Sequence, residues 1–226
     1  MPPPGLRARV GLAGSRREFE LVGREGAREI LDAVVRASRG RPLPDWLDFG
    51  CGCGRIARYL REEPSIGSYA GVDVDAAQIA WAARHLRGRF EVMRPDPPLR
   101  FEPSSFDVVL AVSIFTHFSN AEQFAWLSEI RRILKPGGLL VATTLAPDRA
   151  LACPGLTPAE FDELDRSGFL AADHGAATFN ERSTFHSRAY LEAAWSRVLR
   201  LRLHEPRGFV SYQDLSVWEK EEPAPR

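Results

Sequence analysis

The sequence predicts an α/β domain on a doubly wound, mostly parallel sheet that closes with a C-terminal antiparallel hairpin. Three observations predict it. Short apolar runs alternate with helical patterns from Asp45 to Leu145. Glycines at positions 50, 52 and 54 follow the first apolar run. After Leu145 the alternation weakens, and Val198 to His204 and Gln213 to Glu219 show a strand's period of two.

Taken in order, the apolar residues Phe19, Val22, Ile30, Leu31, Val34 and Val35 predict helical segments between Glu18 and Ser38, with Gly23 and Gly26 as interruptions. Residues 1–44 thus form an N-terminal helical extension, joined by the Gly/Pro linker Arg39 to Pro44 to a main domain at 45–226. In that domain Trp46 to Phe49 is a short buried strand. Arg55 to Glu63 is a helix stopped by Pro64, and Tyr69 to Val74 is a second strand. Asp75 stands where an N-cap is needed for a helix over Ala76 to Leu86. Arg89 to Met93 is a third strand. Asp107 to Val112 is a fourth, apolar after its first residue as a central parallel strand should be. Asn120 to Leu134 is an amphipathic helix ended by Pro136-Gly137-Gly138, and Leu139 to Leu145 is a fifth strand. Helices follow at Pro158 to Arg166 and Ser187 to Trp195. Gly168 to Phe185 lacks periodicity and is expected to be a loop or lid, part of a substrate insertion at about 146–186.

Composition removes several functions. The 226 residues are 44% hydrophobic and 27% charged, with 30 basic and 30 acidic residues and a formal net charge of +0. No overall field recruits nucleic acid or an anionic membrane. No apolar run is long enough to span a bilayer, and the Met-Pro-Pro-Pro-Gly start lacks the apolar core of a signal peptide. A cytoplasmic protein with no nucleic-acid or membrane partner is expected. Cys51, Cys53 and Cys153 give no second ligand pair at zinc spacing, so no metal is expected.

The chemistry centres on Leu47-Asp48-Phe49-Gly50-Cys51-Gly52-Cys53-Gly54-Arg55. Glycines at the carboxyl end of a first strand let a ligand approach the backbone. A dinucleotide fingerprint is the rival. Read from Gly50 its third small residue falls on Arg55, which is too large; read from Gly52 it falls on Ala57, which fits a looser variant. Asp48 separates the two readings, because its carboxylate repels a pyrophosphate and attracts the ammonium of an amino-acid moiety. Asp73 lies at the end of the second strand, about twenty residues past the glycines, the offset of an acid that grips ribose hydroxyls. Capping of the next helix would be the competing role for Asp73, and Asp75 is assigned that role instead.

Four motifs stand in order: Leu47 to Arg55, Gly71-Val72-Asp73, Ser105 to Val109, and Leu134 to Gly138. Together they resemble the signature set of the class I, S-adenosylmethionine-dependent methyltransferases over positions 45–145. The resemblance implies a Rossmann-like sheet and S-adenosylmethionine as cofactor. It assigns Asp48, Gly50, Cys51, Gly52, Gly54, Asp73 and Val74 to cofactor binding, with Asp96 near the adenine amine. It places Ser113 and Ile114 on the cofactor's other side. The prolines around Asp96 and the loss of a third helix depart from the pattern.

A hydroxyl acceptor is helped by a base, and histidine suits neutral pH. His117 lies just past the fourth strand, where an open parallel sheet holds its ligand crevice, and is the first candidate; its competing role is to orient the loop. His186 is the second. His174 in the proposed lid and Tyr212-Gln213-Asp214 at the start of the last strand are further candidates for the acceptor's surroundings. His85 and His204 are read as structural. Phe49 to Arg55, Ser113 to Phe118, Ala125 to Ile130 and Tyr212 to Leu215 are together similar to bacterial methyltransferases associated with glycosyltransferases and polysaccharide assembly. That similarity implies O-methylation of a sugar hydroxyl, with a small-molecule or glycan acceptor as partner. An N-methyltransferase falls behind because Ser113 to Phe118 stands where the Asn/Asp-Pro-Pro-aromatic motif would be. A non-catalytic cofactor-binding module and a nicotinamide oxidoreductase compete with these two enzyme readings. The oligomeric state is not assigned.

Overall fold

The computed structural model describes residues 1–10, 15–173 and 182–222. Its main sheet has seven strands: β1 (Asp45–Phe49), β2 (Ser68–Asp73), β3 (Arg89–Val92), β4 (Phe106–Ala111), β5 (Leu134–Thr144), β8 (Arg200–Phe209) and β9 (Gln213–Glu219). The strand order is β3-β2-β1-β4-β5-β9-β8. The first five are parallel, and β9 and β8 add as an antiparallel hairpin, Leu139 facing Glu219 and Thr144 facing Asp214. Consecutive parallel strands run outward in both directions from the β1/β4 junction, so a ligand crevice is expected beyond the carboxyl ends of those strands. This is the doubly wound, mostly parallel sheet closed by a C-terminal antiparallel hairpin that the sequence predicts.

Two apolar layers sandwich the sheet. One side joins Trp46, Val108, Leu110 and Val141 to Ile30 and Val34 of α2 (Arg16–Ser38) and to Leu60 of α3 (Ala57–Leu60). The other joins Leu47, Phe49 and Val109 to Trp126 and Ile130 of α5 (Asn120–Ile133) and to Leu191 of α7 (Arg188–Ala194). Each central strand is apolar on both faces, as burial between two helical layers requires.

Four expectations need correction. The glycines at 23 and 26 do not interrupt α2, which runs unbroken for 23 residues. A Cβ on Gly23 would lie 2.5 Å from the Arg55 carbonyl, and one on Gly26 2.6 Å from the Phe209 ring. These glycines let the helix pack closely, which offsets their helix-propensity cost of about 1 kcal/mol each. The helix expected over 55–63 shrinks to α3, because the glycine loop extends to Ile56 and Glu62 and Glu63 tighten into i→i+3 bonds ahead of Pro64. Strand β5 begins at Leu134 rather than Leu139. A register shift against β4 absorbs Lys-Pro-Gly-Gly, and the Lys135 ammonium ties Asp45 and Asp107 at 2.6 and 2.9 Å.

Finally, Gly168 to Phe185 contains two paired strands, β6 (Phe169–Asp173) and β7 (Arg182–His186), which form a separate antiparallel ladder. Leu170, Ala172, Thr184 and His186 face inward. The unit follows α6 (Pro158–Ser167) and hangs from the end of β5 through the bond from the His186 N–H to the Leu145 carbonyl, 2.8 Å. His174 lies outside the described residues.

Candidate functional site

The glycine loop leaves β1 and turns back over β2. The Gly50 and Cys51 N–H groups both donate to the Val72 carbonyl, at 2.8 and 3.0 Å. Gly50, Gly52 and Gly54 have φ of +79°, +54° and +75°, a region side chains disfavour. A Cβ at Gly50 would strike the Ile114 side chain. One at Gly52 would strike Val10 and come within 2.9 Å of the Gln78 amide oxygen. Glycine is therefore needed for both conformation and space, which makes the loop a cradle of bare backbone.

Asp73 locks that cradle to β2. One carboxylate oxygen accepts the Gly52 N–H at 2.8 Å and the other accepts the Asp75 N–H at 2.9 Å. Asp75 caps α4 (Ala76–His85), accepting from the Ala77 and Gln78 amides, and holds the Arg9 guanidinium at 2.6 Å. The division of roles expected for the two acids is thus the one in place for Asp75. The chain around α1 (Pro4–Arg7) lies over the loop: the Cys53 thiol donates to the Leu6 carbonyl at 3.8 Å.

Beneath the loop, Asp48 is 3% exposed and accepts the Tyr69 hydroxyl at 2.9 Å. Burial raises its pKa to about 7, with Asp73 adding to the rise and the Tyr69 hydroxyl and Arg55 opposing it. Burial also pushes the Cys51 thiol well up and Cys53 to about 11, so both stay thiols. Among the described residues no group of three His, Cys, Asp or Glu side chains could hold a metal ion. Val74 is exposed at the end of β2. Asp96 is exposed after β3 and has no hydrogen bond or ion pair among the described residues; nothing ties it to the loop.

Across the crevice, Ser113 follows β4 with φ of +58°, a conformation unusual outside glycine. Its N–H donates to the Thr143 hydroxyl at 2.8 Å. The Ser113 and Thr143 hydroxyls both donate to the Gln213 side-chain oxygen, at 3.0 and 2.6 Å. Gln213 is held there by a tight turn in which Val210 and Ser211 have φ of +46° and +55° and the Tyr212 N–H returns to the Phe209 carbonyl. Such a turn prefers Asn-Gly, so Val-Ser stores strain. The Glu29 carboxylate pins it through the Val210 N–H at 2.7 Å.

His117 ends a 3₁₀ turn, Phe115–His117, beyond Ser113. Its Nδ1 lies 2.7 Å from the Arg182 carbonyl. A carbonyl only accepts, so Nδ1 carries the proton and Nε2 is the basic nitrogen. Arg182 in turn binds Glu122 and Asp173, which fixes the segment.

His186 belongs elsewhere. It is 0% exposed and packs against Phe169, Tyr190 and Trp195. Its Nε2 meets the Gln123 side-chain oxygen at 3.3 Å, and burial depresses its pKa to about 3. Sealed in packing, it has no path to an acceptor, which corrects the expectation of a second base. The residues that sequence reasoning passed over are Tyr69, which holds Asp48, and Arg55, noted only as too large for a third glycine. Neither carries a local signal beyond standing beside the loop in space.

Residues 47–138 match the model of a family described as a methyltransferase domain. The match spans the glycine loop, Asp73 and β4, about two fifths of the chain. A phthiotriol/phenolphthiotriol dimycocerosates methyltransferase of Mycobacterium ulcerans is 38% identical over 111 residues, 47% of this chain and 39% of that protein. A malonyl-[acyl-carrier protein] O-methyltransferase of Enterobacter lignolyticus is 30% identical over 151 residues, 66% of this chain and 57% of that one. The chain spans between 39% and 60% of the length of its first curated relatives. Among solved structures, a SAM-dependent methyltransferase of Methanosarcina mazei superposes with a TM-score of 0.62 at 19% identity, over 81% of this chain and 95% of that one. One from Clostridium acetobutylicum gives 0.63 at 11% identity, over 88% and 92%. These two likenesses establish the fold.

Proposed function

We propose that the chain is an S-adenosylmethionine-dependent methyltransferase whose acceptor atom is an oxygen, on a sugar hydroxyl or another small molecule. The observation that carries this reading is the bare glycine cradle locked by Asp73 at the carboxyl ends of β1 and β2. The matched methyltransferase domain supports it. Bound there, S-adenosylmethionine supplies an electrophilic methyl carbon. Gly50, Gly52 and Gly54 would present backbone to it, Asp73 would accept its ribose hydroxyls, and Ser113 and Ile114 would border its other side. His117 Nε2 is placed to take the proton that the acceptor hydroxyl gives up. Gln213, clamped by Ser113 and Thr143, orients the acceptor. The work of the site is alignment, so its strained turns serve to hold positions rather than to move. The protein acts without a nucleic-acid partner, in agreement with its zero net charge.

A second reading puts the acceptor oxygen on a lipid or a carrier-bound acyl group. The two relatives, a phthiotriol/phenolphthiotriol dimycocerosates methyltransferase and a malonyl-[acyl-carrier protein] O-methyltransferase, favour it. The test is methyl transfer from S-adenosylmethionine to a panel of methyl glycosides, long-chain alcohols and malonyl thioesters, read by mass spectrometry. Methylated glycoside oxygen supports the first reading and a methylated alcohol or thioester the second. Methylation confined to added amines overturns the oxygen assignment.

A further inference from the structure

Beyond β5 the chain enters a 3₁₀ turn, Pro147–Ala152, at the carboxyl end of the parallel strands, the end at which such a sheet opens its crevice. Arg149 stands in that turn. Its guanidinium carbon lies over the Tyr212 ring, 4.7 Å from the centroid, a cation–π contact that holds the charge in place. Tyr212 immediately precedes Gln213, whose side-chain oxygen accepts the Ser113 and Thr143 hydroxyls across the crevice. The Arg149–Tyr212 pair therefore borders the acceptor side of the site. Arg149 is half-buried, and its Nε is closed to solvent with no hydrogen-bond partner. The neighbouring acid does not complete it: Asp148 binds Arg207 at 2.6 Å. Asp214 is engaged as well, by the Arg207 N–H at 2.8 Å and by His204 at 3.5 Å. Among the described residues Arg149 thus has an aromatic ring beneath it and no anion within the 4.0 Å of an ion pair. A guanidinium that has lost water on one edge and gained no internal partner is costly to hold. An anion at its remaining donors offsets that cost, and their planar fork matches carboxylate and phosphate oxygens.

Resting on the reading of the site above, we propose that Arg149, held by Tyr212, recognises an anionic group on the acceptor, so that the molecule methylated carries a carboxylate or a phosphate near the oxygen that receives the methyl group. The competing role is a brace, in which the cation–π contact only ties the exit of β5 to the hairpin turn. A brace has no stake in the charge of the acceptor, and an anion subsite does.

The test is ligand-observed NMR titration of the full chain, saturated with S-adenosylhomocysteine, with three probes that share one ring. Methyl glucoside is neutral, methyl glucuronoside adds a carboxylate, and methyl glucoside 6-phosphate adds a phosphate. The wild-type chain should bind at least one charged probe about 10-fold or more tighter than the neutral one, and the probe that gains identifies the anion. Arg149→Met keeps an unbranched stem over the ring. It should weaken that charged probe by about 10- to 100-fold and leave the neutral probe and S-adenosylhomocysteine as they were. Arg149→Lys should retain part of the preference. Tyr212→Leu, at an exposed position, should reduce the preference without removing the charge. A wild-type chain that binds the three probes alike, or binds none of them, overturns the proposal. So does an Arg149→Met chain that loses all three equally, which is the mark of a brace. Failure of the wild-type chain to take up S-adenosylhomocysteine is a different result, because it removes the cofactor reading on which the proposal rests.

Discussion

Replacing Asp73 by alanine separates the cofactor reading from a merely structural one. A carboxylate has about four lone-pair positions. Two are used by the Gly52 and Asp75 N–H groups. The remaining two match the two hydroxyls of a ribose. Hydrogen bonds to a charged acceptor contribute about 1.5–3 kcal/mol each. Their joint loss is about 3–6 kcal/mol, or roughly 10²- to 10⁴-fold in affinity. Asp73→Asn keeps one oxygen without the charge and should lose only about 10- to 100-fold. The alanine variant also releases two loop amides, so its stability should fall by about 1–3 kcal/mol, or about 2–4 °C in Tm per kcal/mol for a chain of this size. Titration with S-adenosylhomocysteine, beside a melting curve, reads both effects. A folded Asp73→Ala protein that binds within about threefold of wild type would refute the ribose assignment.

Three further outcomes follow from the same geometry. His117→Ala should cut turnover by about 10²- to 10⁴-fold while cofactor affinity holds, measured on whichever panel acceptor is methylated; an unchanged rate removes it as the base. His186 binds its proton at about 3 in the fold but near 6.5 when unfolded. The unfolded chain thus holds more protons between those values, and stability should fall as pH drops below about 6.5, by up to about 1.4 kcal/mol per unit. Denaturation midpoints across that window should flatten in His186→Leu, and an identical slope in both proteins would contradict the burial account. Gly26→Leu should destabilise by about 1–3 kcal/mol through overpacking against Phe209 and Ile56, despite better helix propensity, and a raised Tm would show that the contact can yield.

The parts legible in the sequence were those set by local pattern. Alternating apolar runs located all five parallel strands and the closing hairpin, and Asp75 announced its helix by capping preference. Errors arose where tertiary contact overrides local signal. Gly23 and Gly26 read as breaks because helix propensity cannot see Arg55 or Phe209 on the other side of the contact. The β6 strand escaped notice because the alternation in Phe169 to Asp173 is short and uses alanines, which carry little apolar contrast. At the site, the glycine loop was visible as a motif. The burial of His186 was not, since nothing near it in sequence foretells Trp195 and Phe169 closing around it.

The most direct test of the central claim is calorimetric titration of the purified chain with S-adenosylmethionine and S-adenosylhomocysteine, with a nicotinamide dinucleotide as the comparison. The account predicts micromolar binding of both sulfur nucleosides at one site per chain and none of the dinucleotide. A folded protein that binds neither, or that prefers the dinucleotide, would contradict it.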